Sequence, residues 1–234
     1  MKTAAMKTNI VTAEFLGTFL LVFVGCGAIV VNDLYAGALG HIGVNAVFGL
    51  VVMAIIYALG NVSGAHINPA VTIGFYFAGR ISAREIPAYV VAQVGGAAVA
   101  GVVLLILFPE HGNYGATMPA TDVPRAFLME VLISFSLMFI ILNVSTGHQE
   151  KGIMAGAAVG GMVTLLALFA GPVTGASMNP ARSIGPALAT MNFEYLWIYI
   201  IAPVVGMWMV SPFCRLTQGA DCCPPDKLQG AMSN

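Results

Sequence analysis

Charge is what this sequence has least of. Ten acidic and nine basic residues make up only 8% of its 234 positions, against about 25% in an ordinary soluble domain. With 59% hydrophobic residues and a mean hydropathy of +0.89, a water-soluble fold is excluded. A formal net charge of −1 offers no basic field for nucleic acid. Cysteine is scarce as well. Cys26 lies in an apolar run and Cys214, Cys222 and Cys223 lie near the far end, at spacings that suggest neither a disulfide scaffold nor a metal site. Cys222 and Cys223 read as an inert reduced pair, with palmitoylation as the alternative. No His, Cys and acidic group form a catalytic set, so neither an enzyme nor a cofactor is expected. The first residues are too polar for a signal peptide, and the apolar run at 10–31 is too long for one.

What the sequence has is long apolar runs. They fall at about 10–31, 42–59, 86–108, 126–144, 153–169 and 195–210, most of them near the ~20 residues a membrane helix needs. Six spans put both termini on one side. With that side cytoplasmic, Lys2, Lys7, Arg80, Arg84, Lys151, Arg215 and Lys227 lie inside and only Arg125 and Arg182 outside, as the positive-inside rule asks. The small-xxx-small pairs Gly156/Gly160 and Gly96/Ala100 suit close helix packing.

Between the second and third spans runs Ser63-Gly64-Ala65-His66-Ile67-Asn68-Pro69-Ala70, and between the fifth and sixth Thr174-Gly175-Ala176-Ser177-Met178-Asn179-Pro180-Ala181. Each reads as a helix start: Asn is a preferred N-cap and Pro suits the first helical position. The first copy, taken as 69–79, is about 11 residues or ~16 Å long, half of a ~30 Å hydrocarbon core. Each copy is thus a half-helix that stops in mid-membrane. Ala13-Glu14-Phe15-Leu16-Gly17-Thr18 opens the first span, and Met129-Glu130-Val131-Leu132 sits early in the fourth, so the chain divides into two halves of three spans. An odd number of spans forces the second half in from the opposite face, which gives an inverted repeat. The expected fold is therefore an all-α membrane protein, one channel domain over 1–234. Its first half is 8–108, its second 124–213, with 109–123 an extracellular connector and 214–234 a cytoplasmic tail. The loops at 61–85 and 170–194 would meet at the midplane. Non-helical backbone there has to be buried in protein or line a water-filled cavity.

Two Asn-Pro-Ala boxes in an inverted six-span repeat, with Ala-Glu-Phe-Leu-Gly-Thr in the first span, Ala92-Gln93 in the third and Arg182 after the second box, resemble the aquaporin (major intrinsic protein) family. The run from Gly171 to Ser183 is most similar to its nodulin-like branch. The resemblance implies a homotetramer in the cell membrane, with one pore per subunit and no cofactor. It makes Asn68, Pro69, Ala70, Asn179, Pro180 and Ala181 the pore centre, and Phe48, Ala167, Ala176 and Arg182 the selectivity filter. Glu14 and Glu130 become supports of the two loops, with His66 bonded locally and its carbonyl toward the pore. A filter of one aromatic, two alanines and one arginine departs from both the water-selective and the glycerol-conducting patterns and implies an intermediate width. Ser183 and Ala187 follow the water-channel habit, whereas Ile200 does not. The function expected is a passive channel for water and small uncharged solutes such as glycerol, excluding protons and ions. The alternatives are a metalloid hydroxide facilitator or, more remotely, a coupled secondary transporter with Glu14 and Glu130 as relay acids. His41, His111 and His148 fall in loops, and pH gating through them is the regulatory reading the sequence offers.

Overall fold

The computed structural model describes residues 2–145 and 153–219, with side chains from residue 8 onward. His148, Lys151, Cys222, Cys223 and Lys227 lie outside the described residues. Nine helices make up the described part. They are α1 (Lys2–Leu34), α2 (Gly40–Ser63), α3 (Pro69–Phe77), α4 (Ile86–Leu107), α5 (Val123–Val144), α6 (Ala155–Thr174), α7 (Pro180–Thr190), α8 (Leu196–Trp208) and α9 (Val210–Gln218). Six stretches are long and apolar enough to cross a membrane, with α8 and α9 together forming the last, Leu196–Gln218.

The halves repeat their packing. The pair α1 and α4 has its counterpart in α5 and α8, and α1 with α2 in α5 with α6. Each short helix then packs against a long helix of the other half, α3 on α8 and α7 on α4. Side chains such as Leu50, Val91, Ile106, Leu128, Leu165 and Phe169 point outward, as a lipid-facing surface requires.

Glycines set how closely these helices approach. A Cβ on Gly96 would strike Phe15 O, and one on the equivalent Gly206 would strike Val131 O. Across the middle, Gly49 lies against Gly160 O, and Gly156 makes room for the Tyr57 ring. Because Gly96 abuts rigid backbone, Gly96→Ala is expected to cost about 2 kcal/mol, the scale of overpacking, seen as a lower melting temperature in detergent. Gly161 has nothing within 4 Å of its Cβ direction, so Gly161→Ala should leave that temperature unchanged or slightly raised.

Several boundaries differ from the sequence expectation, each for a local reason. Helices α2 and α6 run on past 59 and 169 to Ser63 and Thr174, each ending at a left-handed glycine, Gly64 (φ 85°) and Gly175 (φ 80°). The added turns carry polar residues that bond inside the protein, which hydropathy alone reads as loop. Helix α3 has nine residues rather than 11, because Gly79 (φ 73°) turns the chain away after Phe77. The last span breaks at Met209, where Pro212 has no N–H to return to Trp208 O. His41 is not in a loop but in the first turn of α2.

Candidate functional site

The two re-entrant stretches descend from Gly64 and Gly175 in unusual backbone. Ala65 (φ 48°) and Ile67 (φ 46°) in one, and Ala176 (φ 42°) and Met178 (φ 53°) in the other, are left-handed although none is glycine. Each such residue costs on the order of 1–3 kcal/mol and persists only where its surroundings hold it. A buried carboxylate does the holding. Glu14 Oε1 accepts from Ser63 Oγ at 2.6 Å and His66 N at 2.9 Å, and Oε2 accepts from Ile67 N at 2.7 Å and Gln93 Nε2 at 2.7 Å. In the second half Glu130 Oε1 accepts from Thr174 Oγ1 at 2.7 Å and Ser177 N at 2.9 Å, and Oε2 from Met178 N at 2.9 Å. Both carboxylates are fully buried. The tyrosines repeat as well: Tyr89 donates to Ser63 O and Tyr199 to Thr174 O, both at 2.7 Å.

Below the strained stretches the two asparagines cap their half-helices. Asn68 Oδ1 accepts from Ala70 N at 2.9 Å and Val71 N at 3.4 Å, and Asn179 Oδ1 from Ala181 N at 3.0 Å and Arg182 N at 3.4 Å. Pro69 and Pro180 occupy the first helical position in each. The asparagines also tie the halves together. Asn68 Nδ2 donates to Met178 O at 2.8 Å, and Asn179 Nδ2 donates to Ile67 O at 2.9 Å. An amide NH₂ has two hydrogens, so each asparagine keeps one after its tie.

Both asparagines line a cavity of about 420 Å³. Its lining runs from Ile29, His41 and Pro172 at one end to Ile56, Val144 and Ala155 at the other. Pro69, Ala70, Pro180 and Ala181 are buried behind it. Phe48, Ala167, Ala176 and Arg182, spread over α2, α6, the second re-entrant stretch and α7, converge on the same cavity. Gly25 on α1 vacates the space filled by the Phe48 ring, which a Cβ there would strike. Arg182 is 4% exposed, donates from Nη1 to Gly115 O at 2.6 Å, and holds its guanidinium carbon 5.1 Å from the Phe48 ring centre. A guanidinium over an aromatic face at this distance makes a cation–π contact. His66 lines the cavity, and its Nδ1 is 3.1 Å from Thr72 Oγ1. Ser183 Oγ accepts from Thr117 Oγ1 at 2.8 Å and sits 2.6 Å from Ser177 Oγ.

Two features are absent from the sequence reading. Residues 109–123 are more than a connector: the segment buries His111, Tyr114 and Thr117 and supplies the carbonyl that holds Arg182. Gly115, left-handed at φ 74° and packed on Cys26, was the one available signal. The other is His41 and Asn45, which line the cavity two turns and one turn before Phe48 on α2. Among the described residues no cluster of His, Cys, Asp and Glu is arranged to hold a metal ion.

A family model described as major intrinsic protein matches residues 1–213. Aquaporin NIP1-4 of Oryza sativa subsp. japonica is 50% identical over 210 residues, 88% of this chain and 76% of the relative. Aquaporin NIP1-2 of Arabidopsis thaliana is 45% identical over 202 residues, 83% of this chain and 69% of the relative. The X-ray structure of the aquaglyceroporin from Plasmodium falciparum matches with a TM-score of 0.79 at 25% identity, covering 95% of this chain and 99% of that one. With the doubled half-helix and the shared cavity, these similarities settle the question: the chain is an integral membrane protein of the major intrinsic protein (aquaporin) family, whose members are channels and not enzymes.

Proposed function

We propose that this channel passes water and small uncharged solutes of the glycerol type and refuses protons and ions. The observation that carries the reading is the pair of tied asparagines, each with one amide hydrogen left over, on one continuous cavity. Two half-helix N-termini meet there, each equivalent to about +0.5 of an elementary charge. A solute oxygen accepting from both amides has its lone pairs engaged and cannot relay a proton through that point. Arg182 adds a full positive charge at the constriction. Cations meet opposition twice, whereas neutral hydroxyl compounds find donors. Pore selectivity of this sort comes from diameter, lining donors and electrostatic barriers together.

Width argues for more than water. Ala167 and Ala176 line the cavity together with Phe48 and Arg182, and two methyl groups leave room that bulkier side chains would fill. Glu14 and Glu130 do not serve a coupled transporter in this reading, because their oxygens are taken up by loop donors. The chain sits in the cell membrane with both termini inside, following its basic residues, as a homotetramer of separately conducting subunits. The domain limits stay as the sequence sets them: halves 8–108 and 124–213 about the segment 109–123. Stopped-flow light scattering of proteoliposomes without any ion gradient is the test. Water and glycerol fluxes well above protein-free vesicles, weakly dependent on temperature, are expected. Flux only under an ion gradient would reassign the protein to coupled transport. Boric acid in the same panel separates the metalloid alternative.

A further inference from the structure

At the Gly40–Thr174 end, outside under the proposed orientation, the cavity wall carries a polar group with no role so far. Pro172 lies inside α6 and has no N–H, so the helical bond it would return to Leu168 O cannot form. His41 fills the vacancy: its Nε2 is 2.9 Å from Leu168 O. That bond requires the hydrogen on Nε2 and leaves Nδ1 bare as an acceptor. Asn45 Nδ2 then lies 3.1 Å from His41 Nδ1 and donates to His41 O at 2.7 Å. The donors fix which way the amide faces. Its Oδ1 accepts nothing from the described residues, although Asn45 is 8% exposed and lines the cavity. Across the gap Gly171 keeps the space open, for a Cβ there would come within 3.7 Å of Asn45 Oδ1 and 3.5 Å of His41 Cε1.

Resting on the channel reading above, we propose that Asn45, held by His41, is a specificity-determining acceptor for small polyhydroxyl solutes one turn outside the arginine constriction. Asn45 and Phe48 are three positions apart, about 4.5 Å along the helix. A solute carrying several hydroxyls gives a hydrogen to Asn45 Oδ1 while a second oxygen accepts from Arg182, with its carbon edge against the Phe48 ring. The station matters for a polyol more than for water. A polyol has to shed the water on every hydroxyl before the constriction, and a buried hydroxyl without a partner is expensive. A single water takes whichever neighbour is free.

Two variants test this in proteoliposomes, with glycerol and water permeabilities measured on the same preparation. Asn45→Leu removes the acceptor and keeps the branched shape of the side chain. Gly171→Ala covers it while leaving Asn45 itself unchanged, at ordinary contact distance and on a helix that tolerates alanine. Each is expected to lower the glycerol-to-water permeability ratio about fivefold, the worth of one hydrogen bond, with water flux held within twofold. A wild type that passes glycerol and a Gly171→Ala variant with an unchanged or increased ratio overturn the station alone. A wild type that passes water but no glycerol overturns the station and the polyol reading together, and one that passes neither overturns the channel reading.

Discussion

Arg182→Val is expected to raise proton and cation leak at least tenfold while water continues to pass. The arginine puts a charge on the cavity wall, 4% exposed beside Phe48. A unit charge ~4 Å from a permeating cation contributes ~4 kcal/mol at an effective dielectric near 20. Part of that is lost to water entering a widened gap, and the half-helix dipoles remain, so the rise falls short of the thousandfold that figure implies. Folding should survive, since valine is apolar and the main loss is one donor to Gly115 O, an acceptor that water can then satisfy. Vesicles loaded with a pH-sensitive dye give the leak directly. Arg182→Lys separates charge from shape: it should restrain protons nearly as well as arginine, yet lose the guanidinium's contact with the Phe48 ring. A valine variant as tight to protons as the wild type would remove Arg182 from the barrier.

Glu14→Ala should be the most damaging substitution for folding. Four donors converge on that carboxylate: two backbone N–H groups, a hydroxyl and an amide. Each hydrogen bond to a charged group is worth roughly 1.5–3 kcal/mol, and a buried donor left unpaired adds its own penalty. A loss of at least about 3 kcal/mol is therefore expected, enough to lower the melting temperature and folded yield in detergent sharply. Glu14→Gln keeps one accepting oxygen but turns an NH₂ toward groups that are themselves donors, so it should fall between alanine and wild type. Wild-type melting in Glu14→Ala would mean that the strained stretch at Ala65 and Ile67 stands unaided.

How much of this was legible beforehand varies with the kind of interaction. Six spans and two half-helices could be read because burial in lipid writes itself into hydropathy, and because Asn followed by Pro is a strong start signal. Helix ends could not, because Ser63 and Thr174 look like loop residues until Glu14 and Glu130 are seen beside them. The length of α3 depended on Gly79 adopting a left-handed turn, one of several conformations glycine accepts. The convergence of Phe48, Ala167, Ala176 and Arg182 came from resemblance, since nothing in their separation along the chain brings four elements together. The role of Gly115 was nearly hidden for a deeper reason: its residue type hints at a tight turn, but a backbone carbonyl acts identically whatever its side chain. Asn45 needed a missing hydrogen at Pro172, a fact about two helices at once.

The reciprocal ties between the asparagines also bear on how the protein is made. Asn68 finds its acceptor 110 residues later in the chain, and Asn179 finds its own 112 residues earlier. A half-synthesised chain leaving the ribosome thus carries a first half-helix whose tip Glu14 can hold but which is not yet tied to its twin, however well its three spans have inserted. The midpoint of the molecule is completed only when the last third arrives, so assembly locks both halves in a single late event.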